Sequence, residues 1–255
     1  SPSPRAVLHC KGCCGLVYPS YRNVFLLWGL ITLAIAAAFF LTEKKYLPPI
    51  QASQSRFCAP SSLRQAVHFR NIWILSASTA GAMWVYNSFS SYLPAFLGGV
   101  HQMSDAGAGN ATSIMQFSGI AGSVLCGWLL GRGVHSKLLL TGAAALLFAG
   151  ALGTALLVAL PSLFVCVFLI GMGYYAFQAA AVTAVMHMDG MQPQMVGAAT
   201  AVYTGVGNLL GLAAPYAFSA IQAGQGMRVA LAGFSLFAFL SAAVCLFYRE
   251  NHAAH

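Results

Sequence analysis

"LLLTGAAALLFAGALGTALLVALPSLFVCVFLIGMGYYAFQAAAVTAVM", residues 138–186, contains no Asp, Glu, Lys, Arg or His. A helix needs about 20 mostly apolar residues to cross the roughly 30 Å hydrocarbon layer of a bilayer. The stretch therefore holds two crossings, Leu138–Leu160 and Leu163–Met186, turned at Pro161. Working outward in both directions, five more segments qualify: Val24–Leu41, Ile72–Leu97, Thr112–Leu130, Val196–Ile221 and Val229–Tyr248. None of the seven contains Asp, Glu, Lys or Arg. Backbone polar groups in lipid must be satisfied within the protein, which leaves helices or closed barrels. Unbroken apolar runs are unlike the alternating pattern of a barrel strand.

The whole chain agrees with that start. Of 255 residues, 59% are apolar and only 6% charged, against roughly 25% charged in a soluble domain; the mean hydropathy is +0.75. The expected fold is an all-α polytopic membrane protein with seven transmembrane helices. It divides into an irregular tail (1–20), one helix (21–41), a polar linker (42–71) and a close-set group of six helices (72–250). Pro48, Pro49 and Pro60 with Ser and Gln mark the linker, and its end, "SSLRQAVHFRN", has the make-up of a short amphipathic helix at a membrane surface.

The net charge of +8 does not indicate a nucleic-acid partner, because the bases are not gathered on one face with base-reading groups between them. They sit at the ends of apolar helices, where the positive-inside rule applies. Assigned to alternate sides, one side holds Lys44, Lys45, Arg56, Arg64, Arg70, Arg132, Lys137 and Arg249; the other holds Arg5, Lys11, Arg22 and Arg228. The richer side is expected to be cytoplasmic, with the C-terminus inside, in the plasma or inner cell membrane. The N-terminus then falls outside, ahead of an odd number of helices, which points to further helices upstream. The basic start before Val24–Leu41 has some likeness to a signal sequence, but no small-residue cleavage site follows it, so the segment reads as a retained helix.

Seven cysteines form no disulfide framework. Cys126, Cys166 and Cys245 fall within apolar segments, as small packing residues do. "CKGCC" at Cys10–Cys14 is a lone C-x-x-C lacking two further ligands at zinc spacing. Neither a metal nor another cofactor is implied.

Polar residues inside the spans carry the functional signal. Trp84, Asn87, Ser88 and Ser91 recur at helical spacing and share one face; so do Gly171, Tyr174, Tyr175 and Gln178. Ser113 and Gln116 lie near the outer end of the third segment, and Tyr203 and Asn208 lie in the sixth. Polar side chains at membrane depth face a bundle interior or a wet cavity. A serine can satisfy itself on its own helix, whereas the amides of Asn87 and Gln178 bring donors and an acceptor that need partners. The candidate cavity residues are Trp84, Asn87, Ser91, Gln116, Tyr174, Tyr175, Gln178 and Asn208. Gly207 and Gly211 form a GxxxG pair, and Gly119, Gly122 and Gly127 punctuate the third segment, spacings that favour helix packing. No catalytic constellation is present: no G-x-S-x-G elbow, H-E-x-x-H or GxGxxG stands in the context its chemistry needs, and no acid–base groups lie in the spans.

The order of these parts resembles the major facilitator superfamily, entered just before its middle. "SYRNVFLLWGLITLAIAAAFFL" is similar to that family's sixth helix, and "FRNIWILSASTAGAMWVYNSFSSYLPAFL" to its seventh. "VGAATAVYTGVGNLLGLAAPYAFSAI" is similar to its eleventh. "GWLLGRGVHSK", residues 127–137, resembles the loop signature G-x-x-x-D-R-x-G-R-R. Gly127 and Arg132 match it and His135 stands at a base position, with Lys137 adding a charge; Gly131 replaces the acid and Val134 the second glycine. The departure at Gly131 removes any charge relay through that acid. The resemblance covers residues 21–250 and implies a secondary transporter of two six-helix halves, of which this chain holds the second half and the last helix of the first.

From the resemblance, the segments 72–97 and 163–186 line a central cavity, which makes Asn87, Ser91, Tyr174, Tyr175 and Gln178 its leading residues. The implied partners are the lipid bilayer, a small solute with or without a coupling ion, and the missing N-terminal half. Because no carboxylate lies within the spans, any proton-coupling acid belongs to that half. The competing expectation is a membrane scaffold or partner subunit that does not transport by itself.

Overall fold

The computed structural model describes residues 21–46, 60–157, 159–188 and 190–248. The tail 1–20, residues 47–59 of the linker with Arg56, and Asp189 and Arg249 lie outside them. The described residues form α1 (Tyr21–Tyr46), α2 (Pro60–Val67), α3 (Arg70–His101), α4 (Asp105–Gly131) and α5 (Ser136–Leu156). They continue with α6 (Leu160–Met186), α7 (Pro193–Gly211), α8 (Ala214–Gln225) and α9 (Met227–Leu246). No strand occurs among the described residues. Two compact units divide at residues 57 and 58. In the first, α1 extends beyond the expected end at Leu41 to Tyr46. All other helices belong to the second.

Among the described residues, five stretches are long and apolar enough to cross a membrane: Asp105–Gly131, Ser136–Leu156, Leu160–Met186, Met195–Gln225 and Met227–Leu246. In α1 the qualifying apolar stretch is the shorter Leu26–Phe39. At 32 residues α3 is the longest helix, yet its Ser, Thr, Asn and Tyr content lowers its hydropathy. Its position explains how it tolerates them, because α3 packs against α4, α6, α7, α8 and α9 and buries much of its circumference.

Packing follows an exchange between two sets of three. The first helix of one set, α3, packs on α7, α8 and α9 of the other, while α6 packs on α4 and α5 of the first set. Neither set closes a core alone.

Glycines set how near α6 comes to its neighbours. A Cβ on Gly171 would fall on the Met115 carbonyl and the Ser118 hydroxyl of α4, and one on Gly122 would fall on the Met172 carbonyl. Toward α5, a Cβ on Gly173 would lie 2.6 Å from the Leu147 nitrogen, and one on Gly150 would lie 2.7 Å from the Cys166 carbonyl. Small residues permit such backbone approach in lipid, where no hydrophobic force drives helices together. Across α3 and α9, Ser241 Oγ donates to the Ser78 carbonyl at 2.8 Å, and Ser78 Oγ lies 2.9 Å from Ser241 Oγ.

Two expected boundaries change for identifiable reasons. α4 begins at Asp105 rather than Thr112, because Ser104 caps it by accepting from the Gly107 N–H at 3.3 Å and Asp105 places an acid in the first turn. The single segment expected over Val196–Ile221 is two helices, broken at Leu212–Ala213. Pro215 has no N–H for the Gly211 carbonyl and its ring crowds that carbonyl. The Ala213 N–H turns to Leu210 at 3.2 Å instead.

Gly171→Ala is expected to cost about 1–3 kcal/mol through overpacking. Gly205→Ala, where a Cβ meets nothing within 4 Å, is expected to be neutral or stabilising. Thermal unfolding of both variants in detergent measures the difference, and equal melting temperatures would count against glycine-controlled packing on α6.

Candidate functional site

Midway along their lengths, α3, α4 and α6 bring together Tyr86, Gln116, Tyr174, Tyr175 and Gln178. The rings of Tyr86 and Tyr174 stack at 3.9 Å with an interplanar angle of 7°. Tyr175 stands edge-on to both, at 5.7 Å and 5.3 Å. Edge-to-face rings gain from the aromatic quadrupole in addition to their burial. Gly119 makes room for this arrangement, because a Cβ there would fall on the Tyr175 ring.

One amide organises the hydroxyls. Gln116 Oε1 accepts from Tyr86 at 2.5 Å and from Tyr175 at 3.1 Å. Gln178 Nε2 donates to the Tyr174 hydroxyl at 3.0 Å, one helical turn away on α6. The Gln116 oxygen is occupied twice, and Gln116 is exposed while Tyr174 is only 8% exposed. The cluster is thus buried on its aromatic side and open on its amide side. Its groups can donate and accept hydrogen bonds and present ring faces, all without formal charge.

The expected residues divide among three places. Gln116, Tyr174, Tyr175 and Gln178 meet as described. Trp84 turns to the opposite side of α3, where its indole N–H donates to the Leu210 carbonyl at 2.7 Å beside the α7–α8 break. There it packs on Phe237 and Phe234 of α9, with centroids at 4.8 and 5.8 Å. Asn87 faces the same break: a Cβ on Gly211 would lie 3.1 Å from its Nδ2. Tyr92 completes the set by donating to the Pro215 carbonyl at 3.0 Å. Ser91 and Asn208 are exposed, whereas Ser88 and Tyr203 are fully buried. The four polar residues of α3 therefore do not share one environment, since Ser88 is rotated from the Trp84–Asn87–Ser91 face into the core.

Tyr86 is absent from the sequence-derived set. It lies off the polar face counted from Trp84 and Asn87, and, following the apolar Val85, it reads as packing. The remaining signal is its hydroxyl, a polar group placed deep in a span.

The turn at residues 127–137 also has a defined geometry. The Val134 N–H bonds the Leu129 carbonyl at 3.2 Å and the Gly133 N–H bonds Leu130 at 3.0 Å, the paired bonds of a Schellman helix end. Gly133 holds φ +81. Gly127 and Gly131 lie within α4, so the turn needs only Gly133. The Arg132 guanidinium stacks over the Trp128 ring at 3.6 Å, and His135 is the N-cap residue of α5 without a side-chain cap. Lys137 follows in the first turn of that helix.

A family profile described as Major Facilitator Superfamily matches residues 14–215. Among curated proteins no match was found. Solved structures with a similar fold include a bacterial homologue of the human lysosomal transporter Spinster, in an inward-facing, unoccupied state. That structure has 18% identity, a TM-score of 0.64, and coverage of 91% of this chain and 61% of that one. The POT family transporter PepTSo matches at 15% identity and TM-score 0.62, over 69% of this chain and 37% of that one. A D-xylose–proton symporter matches at 15% identity and TM-score 0.54, over 71% and 48%. The chain thus spans between 37% and 61% of the lengths of these three structures.

A double-mutant cycle on Tyr86→Phe and Gln116→Leu is expected to give a coupling of about 0.6 kcal/mol, the average for hydrogen bonds inside membrane bundles; strictly additive losses would remove the amide from its organising role. Gly133→Ala is expected to lose about 1–2 kcal/mol from the left-handed backbone, whereas Gly131→Ala loses none. Both effects are read from unfolding in detergent.

Proposed function

We propose that this chain, which belongs to the major facilitator superfamily, forms one side of the path by which a small organic solute crosses a membrane. The open amide side of the Tyr86–Gln116–Tyr174–Tyr175–Gln178 cluster is the solute-facing surface. The observation that carries this reading is the double acceptor role of Gln116, which fixes the tyrosines and leaves the NH2 group for a ligand. Substrate sites of secondary transporters lie near the bilayer midplane, between repeats that rock about them. The cluster lies at that depth, where the first helices of the two three-helix sets meet α4.

A second six-helix bundle completes the path, and alternating access arises when the two bundles rock. The acids Glu43, Asp105, Asp189 and Glu250 all stand outside the mid-span positions, so a proton-coupling carboxylate, if the solute moves with a proton, is supplied by that second bundle. Asn87, on the face of α3 turned to the helix break, lies away from the solute-facing surface, and Ser91 and Asn208 are exposed polar positions outside the cluster. Trp84 holds the break in place behind this surface. The basic turn at Arg132 faces the cytoplasm, as does the C-terminus.

A non-transporting role as a membrane scaffold is the competing reading. Proteoliposomes containing the chain together with the first six helices of a superfamily transporter encoded beside it are expected to accumulate a solute. Gln116→Leu and Tyr175→Phe are each expected to lower uptake tenfold or more with protein content unchanged. Uptake insensitive to both variants overturns the assignment of the cluster; no uptake of any solute by the chain with its complement supports the scaffold.

A further inference from the structure

Helices α4 and α5 are consecutive and joined only by the turn at residues 132–135, yet they do not pack closely against each other; each packs on α6. Between them, directly beneath the turn, lies a groove of about 300 Å³. Leu125 and Leu129 of α4, Leu138 and Gly142 of α5, and Met172 of α6 line it, with the Cys126 thiol as its one polar side chain. It opens outward past Leu138 and Leu125, which are 64% and 44% exposed.

We propose that this groove binds an anionic glycerophospholipid, with one acyl chain between α4 and α5 and the headgroup phosphate on Arg132. Three observations support the lipid as the occupant. First, the groove is too small for a helix, because about 300 Å³ is less than the roughly 420 Å³ of a single helical turn about 10 Å across with a 5.4 Å pitch. At roughly 30 Å³ for a water-sized group, its volume instead holds on the order of ten methylene groups. Second, the turn above the groove is basic in composition: residues 127–137 include Arg132, His135 and Lys137 and no acid. Basic pockets between transmembrane helices attract anionic headgroups. Third, Arg132 is held in place by stacking on Trp128. A guanidinium stacked on its face keeps its N–H edge for a phosphate, and Trp128 is half exposed, as suits an indole at a membrane interface.

A Cβ on Gly142 would meet nothing within 4 Å, so a larger side chain there enters the groove without striking the backbone. The lipid fills the space that these two helices leave and ties their shared turn to the membrane surface. This site is separate from the tyrosine cluster and does not depend on which solute is carried.

The test uses the full chain in mild detergent with phosphatidylglycerol carrying a photoactivatable group in one acyl chain, compared with phosphatidylcholine of the same chains. Phosphatidylglycerol is expected to label peptides within residues 122–146, about fivefold more than phosphatidylcholine for one basic contact. Arg132→Gln is expected to erase that preference while leaving chain labelling. Gly142→Leu is expected to abolish labelling of 122–146 by both lipids at an unchanged melting temperature. Equal labelling by the two lipids in the unaltered chain, or labelling that survives Gly142→Leu, overturns the proposal.

Discussion

The close approach of α6 to α4 and α5 is the contact on which the bundle depends. Lipid tails are as apolar as leucine, so burial from water gives these helices little reason to associate, and van der Waals packing must hold them. Gly119, Gly122 and Gly171 bring α6 against α4, while Gly150 and Gly173 bring it against α5. The tyrosine cluster follows from this spacing. Tyr175 lies over Gly119, and only at that separation can its hydroxyl reach Gln116 on the neighbouring helix.

A second constraint acts through α3. In hydrocarbon every polar group seeks a partner inside the protein, and α3 carries more polar side chains than an outer helix could. It meets much of the demand by sitting in the centre and by pairing with places where other helices are irregular, while its Thr79 and Ser88 hydroxyls are buried without a partner. Trp84 and Tyr92 donate to carbonyls on either side of the break made by Pro215. The defect in one helix and the polarity of the other are thus mutual: α7 and α8 expose carbonyls, and α3 supplies donors. On its opposite face Tyr86 joins the cluster, so one helix serves both the scaffold and the candidate site.

Much of this was legible in the sequence. Charge-free runs gave the helices, because a segment without charges and of membrane length has few other stable fates, and the order of motifs indicated the superfamily. Gln116, Tyr174, Tyr175 and Gln178 were identifiable because amides and phenols at membrane depth require partners. Other features resisted such reading. Helical spacing placed Trp84, Asn87, Ser88 and Ser91 together, but spacing along one helix does not say which neighbour lies opposite each residue. Tyr86 was missed for the same reason, since its stacking partner is on α6. Pro215 was visible, but not that it would leave the one crossing Met195–Gln225 as two helices.

By itself the sequence determined that this chain is helical, crosses a membrane, and carries uncharged hydrogen-bonding groups in its spans; each follows from what hydrocarbon permits a backbone and a side chain to do. Tertiary structure alone decided which of those groups meet. It set Trp84 against a helix break and Tyr86 against Tyr174, and it parted α4 from α5 below a basic turn. Those outcomes depend on the distance between helices, and that distance is fixed where a missing Cβ on one helix meets the backbone of the next.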